Sequence, residues 1–159
     1  MANNAIIIDG RTKVVWCTAI ANTAAPTTTE LNAGTALQTF ITPDGLNIVP
    51  TTGKVPVGNL GSKQTPNKAG RIAFDISVVF HHQAGTDTPR ILLPYRTDGF
   101  LVVRYGIDAA TAWNTGDKVE VYPINTGEPM QTPVKPDSTY DFTSPMFVSD
   151  DAQTSAVVA

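Results

Sequence analysis

Arg71-Ile72-Ala73-Phe74-Asp75-Ile76-Ser77-Val78-Val79-Phe80-His81-His82 is the stretch on which the fold turns. Ile72, Phe74, Ile76, Val78 and Phe80 occupy every second position, and side chains two apart on an extended chain share a face. The stretch therefore predicts a strand with those five residues in a core and Arg71, Ala73, Asp75, Ser77, Val79 and His81 on the opposite side. Working outward, residues 100–105 repeat the pattern, with Leu101, Val103 and Tyr105 against Phe100, Val102 and Arg104. Residues 118–124 set Val119 and Val121 against Lys118, Glu120 and Tyr122. Residues 13–20 are apolar on both faces, which predicts a strand covered on both sides. Residues 140–148 supply a last strand that Pro145 interrupts, and residues 39–42 a short one ended by Pro43, Asp44 and Gly45. Short strands separated by turn signals specify an all-β chain, a β-sandwich or barrel. Two short helices join it: one within residues 22–34, framed by threonines and Gly34, and one opened by Thr88 and Pro89 and stopped by Pro94.

The 159 residues carry 11 Lys plus Arg, 14 Asp plus Glu and a net charge of −3, the length of one domain, residues 1–159. Only 16% of residues are charged, and Gly and Pro contribute 12 each, which argues against a helical bundle. Residues 43–70 are punctuated by nine of these breakers, excluding a central strand and predicting an extended loop or a loose edge hairpin. Loops of that length inside a domain tend to be functional or disordered, and this one is the leading candidate for an interaction element. Residues 1–12 and 149–159 read as terminal arms, and their ends, residues 1–10 and 150–159, are expected to order only on assembly.

Several function classes fall away on the residues present. Cys17 is the single cysteine, so neither a disulfide nor a zinc ligand set is expected, and a reducing compartment is. The longest apolar runs, such as residues 5–8, are far below the roughly 18 needed to cross a membrane, so no membrane role is expected. Mild acidity disfavours a dedicated nucleic-acid binder. His81 and His82 are adjacent and would point to opposite faces of a strand, unsuited to sharing a metal. No nucleophile elbow occurs, and Gly58-Asn59-Leu60-Gly61-Ser62-Lys63 lacks the phosphate-loop spacing. The paired carboxylates Asp150 and Asp151 have nothing to desolvate them. The expectation is a protein that is no enzyme and takes no cofactor. Trp16 and Trp113 read as packing residues, and Arg71, Arg90, Arg96 and Arg104 as surface or inter-subunit ion-pair partners.

Charge is unevenly placed. Residues 1–104 hold 9 basic and 6 acidic residues, and residues 105–159 hold 2 basic and 8 acidic. Such asymmetry suggests complementary surfaces between copies. Lys54, Lys63 and Lys68 in the 43–70 segment and Asp150 and Asp151 near the end are the candidate inter-subunit contacts.

Four segments together carry a family resemblance: Pro26-Thr27-Thr28-Thr29-Glu30-Leu31-Asn32-Ala33-Gly34; Asp98-Gly99-Phe100-Leu101-Val102-Val103-Arg104-Tyr105-Gly106; Ala112-Trp113-Asn114-Thr115-Gly116-Asp117-Lys118-Val119-Glu120-Val121-Tyr122-Pro123; and Phe147-Val148 before a small-residue end. In order and spacing the chain resembles the major tail tube proteins of long-tailed, siphovirus-type bacteriophages, nearest to those of actinobacterial phages. Pro94 departs from the family by limiting the second helix. The resemblance implies a virion protein, made in the host cytoplasm, whose hexameric rings stack into the tail tube that conducts DNA during ejection. It also implies tape measure, tail terminator and distal tail proteins as partners, and DNA that passes without specific binding. Six subunits lending about four strands each would close a barrel about 52 Å across at ~4.8 Å spacing and ~45° tilt. The strands at 71–82 and 100–105 are expected in that inner sheet. The alternative is a non-enzymatic β-sandwich interaction module, such as a capsid decoration or fibre-associated domain, which would not polymerise.

Overall fold

The computed structural model describes residues 3–159, so Met1 and Ala2 of the expected N-terminal arm lie outside the described residues. The elements are β1 (Thr12–Cys17), α1 (Thr28–Ala33), β2 (Thr35–Ala36), β3 (Ile41–Pro56), β4 (Asn67–His81), α2 (Thr88–Leu92), β5 (Asp98–Tyr105), β6 (Lys118–Thr126), β7 (Met130–Gln131), β8 (Asp141–Val148) and β9 (Gln153–Val157). The all-β expectation with two short helices holds. Among the described residues the strands form one antiparallel sheet in the order β2-β1-β5-β6-β8-β4-β3, with β9 on β6 and β7 on β8.

The sheet doubles over at β6, giving two cores. Val14, Trp16, Leu101 and Val103 pack against Ile76, Val78, Phe80, Phe142 and Met146 in the first. On the other face of β1, β5 and β6, Val15, Cys17, Val102, Val119 and Val121 are covered by Leu31 of α1, Trp113, Ala156 and Val158. This double cover is why residues 14–17 are apolar at every position. It also removes β5 from the expected inner sheet, because a strand with core on both faces has none left to line a channel; β4 keeps an open outer face.

Two further expectations are corrected and one alternative is decided. Of the two readings of residues 43–70, the edge hairpin is the one observed: β3 runs 16 residues through Pro43, Gly45, Pro50 and Gly53, paired with β4 from Ile41↔Phe80 to Pro56↔Asn67 with register shifts at 41/46 and 52/54, and residues 57–66 connect the two strands. β3 lies at the sheet edge, where proline is tolerated because no second neighbour needs its missing N–H. Pro145 likewise does not interrupt β8, which is continuous from Asp141 to Val148. The C-terminal arm is not loose: β9 pairs with β6, and Ala156 and Val158 are buried.

In α1 Thr27 is the N-cap. Its hydroxyl accepts from the Glu30 N–H at 3.3 Å, and the Glu30 carboxylate accepts from the Thr27 N–H at 2.8 Å, a reciprocal capping box. Glu30 also accepts from the Ala21 N–H at 2.8 Å, and these backbone donors hold its carboxyl below the usual range. A folded-state value that is depressed means stability present above the unfolded value and lost as pH falls through the folded one. Thr27→Ala is expected to cost about 1 kcal/mol in thermal unfolding. An unchanged melting temperature would show that the box does not contribute.

Candidate assembly surfaces

Strand pairing sets the most prominent feature. β8 accompanies β4 only as far as Asp75↔Phe147, while the β3–β4 pair continues to Pro56↔Asn67. About eight residues of two-stranded ribbon therefore stand clear of the sheet, ~25 Å at the rise of a strand. The expected core row fails along this ribbon: Ile76, Val78 and Phe80 are buried, Phe74 is half-buried edge-on against Tyr122 at 5.4 Å, and Ile72 is exposed. The same period-two pattern runs past the end of the core that it serves.

Lys54, Lys63 and Lys68 all lie on this hairpin and are exposed. None is in an ion pair within the chain; the pairs among the described residues are His81–Asp141, His82–Asp87 and Arg104–Asp117. Its apex is a formed turn. The Asn59 carbonyl accepts from the Ser62 N–H at 2.9 Å, and the Asn59 side-chain oxygen accepts from the Gly61 N–H at 3.0 Å. Leu60 sits on it, fully exposed. A lone large apolar residue inside a Gly, Asn and Ser turn was the sequence signal for this position, and it went unread.

Asp150 and Asp151 are exposed on the β8–β9 connection and, with Asp98, line a depression of about 420 Å³. The fold does not bring them to the three lysines within one chain. A second groove, about 440 Å³, separates the edge of β1 from the start of β3, lined by Ile8, Val14, Ile41, Leu46 and Tyr105 with Asp9 and Asp44.

The outer face of β3, β4 and β8 is the third surface. Across it run the rows Val49–Asp75–Phe147, Asn47–Ser77–Pro145 and His81–Asp141, while the alternate residues enter the core. These rows contain acids but neither lysine nor arginine; Arg71 follows on the same face of β4, on the ribbon beyond the end of β8.

The titratable groups behave as packing elements. Arg104, expected at the surface, is fully buried: Nη1 donates to Asp117 at 2.7 Å and to the Ala112 carbonyl at 2.9 Å, and Nη2 donates to the Thr111 and Asp108 carbonyls at 2.9 and 3.0 Å. Its guanidinium lies 4.8 Å from the Trp113 ring centre, and Lys13 approaches the same ring at 4.9 Å. Burial, reinforced by Arg104, lowers the Lys13 ammonium. Burial, with Glu30 nearby, pushes the Cys17 thiol up to about 11, leaving almost no thiolate at neutral pH. His81 and His82 turn to different partners, Asp141 and Asp87, each at 2.6 Å. Among the described residues no group of three or more His, Cys, Asp or Glu is placed to hold a metal.

A family model described as phage tail tube protein matches residues 1–159. Among solved structures, a chain of the anti-feeding prophage (AFP) baseplate, from a six-fold symmetrised cryo-EM structure, aligns with a TM-score of 0.53 and 11% identity over 96% of each chain. That likeness is one of fold. No curated protein sequence matches.

Proposed function

The chain belongs to the phage tail tube protein family, a structural component of the virion tail, and from that premise we propose that six copies close into a ring and that rings stack into the tube through which DNA leaves the particle. The observation that carries this reading is the outer face of β3, β4 and β8. Where the three strands run together, from Asp75 to His81 of β4, it is an uncovered sheet face without Lys or Arg, the first cation on that face being Arg71 on the ribbon beyond β8, and a wall that avoids cations does not exchange counterions with passing phosphates. With β7 beside β8, that face amounts to four strands per subunit, the share a closed barrel of about 24 strands needs. Closure would also satisfy the open edge of β3. The six-fold symmetry of the baseplate assembly with this fold supports the same ring number. Tape measure, tail terminator and distal tail proteins are the partners such a tube requires at its centre and two ends, and a siphovirus of an actinobacterial host is the source that the sequence resembles.

Negative-stain imaging of the purified chain is expected to show rings or tubes. A variant lacking residues 54–68 is expected to stay folded, because that segment lies largely beyond the core, and to make no tubes. A wild-type chain that persists as a monomer at all concentrations would favour a decoration or fibre-associated module and overturn the proposal.

A further inference from the structure

Resting on that reading, we propose that the hairpin tip of one copy docks into the groove between β1 and β3 of a second copy, with Leu60 as its anchor. Leu60 is 107% exposed on a turn that its own hydrogen bonds hold in shape, so little ordering entropy is lost when it inserts. A fully exposed leucine on a hydrogen-bonded turn is an anchor without a socket in its own chain. The groove offers one: its floor is Val14, Ile41 and Leu46, and its volume of about 440 Å³ exceeds a single leucine, leaving room for the flanking turn.

Charge fits as well. Asp9 and Asp44 stand at the groove, and its lining includes no lysine or arginine. The tip carries Lys63 three positions beyond Leu60, with Lys54 and Lys68 on the stem, and none of the three has an acidic partner in its own chain. Opposite charges flanking an apolar anchor set register as well as affinity.

Polarity then selects this groove over the more acidic depression at Asp98, Asp150 and Asp151. The groove lies at the Ile41–Leu46 end of β3, and the tip follows Pro56 at the other end, about ten residues or ~33 Å away. A copy whose tip fills its neighbour's groove still presents its own groove, empty, to the next. That is a head-to-tail contact that does not close on itself, the kind that builds a stack. The acidic depression instead lies level with the middle of β3, since Asp98 pairs with Asn125, Asn125 with Phe147, Phe147 with Asp75, and Asp75 with Val49. A tip docked there would set copies beside one another with little axial advance.

Two double-cysteine variants separate the sockets: Leu60→Cys with Asp44→Cys, and Leu60→Cys with Asp151→Cys. Cys17 is buried and stays silent. After treatment of assembled protein with a short bismaleimide, the first variant is expected to give a ladder of linked chains on a denaturing gel and the second none, with no ladder from either before assembly. A ladder from the second alone, or from neither in intact polymers, would overturn the docking while leaving the ring-stack reading in place. A wild-type chain that never polymerises would sink both. As an independent arm, Lys63→Asp should raise the concentration needed for assembly about tenfold, and adding Asp44→Lys should restore it. Failure of the exchanged pair to restore assembly counts against the contact, provided that each variant melts as the wild type does.

Discussion

Arg104→Ala destabilises the subunit by about 3–5 kcal/mol in chemical denaturation, the cost of breaking a buried ion pair from one side. The side chain is inaccessible to solvent, and its loss strands both the largely buried Asp117 carboxylate and the carbonyls of Asp108, Thr111 and Ala112, which accept from it. It also removes the plate against which Trp113 rests. The penalty comes mainly from what is left unpaired, so Arg104→Met combined with Asp117→Asn is expected to cost less than the single change. A loss below about 1 kcal/mol for Arg104→Ala would mean that water replaces the guanidinium and that the site is not a structural centre.

Removal of residues 153–159 is the second large effect. β9 pairs beside Val119 and Val121 of β6 and sets Ala156 on their face, with Val158 in the same cluster, and each fully buried valine is worth about 1.5–3 kcal/mol. With Val158 deleted and its neighbours uncovered, the loss is expected to reach about 3–6 kcal/mol. The backbone agrees: the amides of Val157, Val158 and Ala159 donate to the carbonyls of Ala24, Asp117 and Pro26. Hydrogen exchange on the free subunit should therefore find these amides protected before any assembly. Rapid exchange there, together with an unchanged melting temperature after truncation, would show that the strand docks only in the polymer.

The sequence made β1, β4, β5 and β6 readable because each alternates strictly or is apolar throughout, and these strands make most of both cores. It left β3 undecided between a loop and an edge hairpin because Pro43, Gly45, Pro50, Gly53 and Pro56 are local vetoes, whereas strand formation there is imposed by β4 alongside, a partner that no local window contains. β9 was missed for the opposite reason. Thr154, Ser155 and Ala156 have too little side chain to show a period, and the burial of Ala156 depends on a distant β6. Arg104 was partly legible: it shares a face with Phe100 and Val102, and a cation on an apolar face should have raised the question of a buried partner. Of the site, the basic hairpin and the exposed acids were visible as charges. Their positions at separate places on the fold, and the groove between β1 and β3, arise from sheet curvature.

The two halves of the sheet meet through very little backbone. β6 and β8 share only Ile124↔Val148, Asn125↔Phe147 and Thr126↔Met146, whereas β5–β6 and β4–β8 are paired over much longer runs. Side chains of the first core bridge the halves, but the ladder between them is three residues wide. A load applied at the hairpin tip passes down β4 and β8 and reaches the other half of the sheet through this seam and through the first core. A rotation between the halves would twist only this short ladder, and what resists it is the first core, whose side chains from both halves interlock. The relative setting of the two halves is therefore fixed by side-chain packing more than by backbone hydrogen bonds.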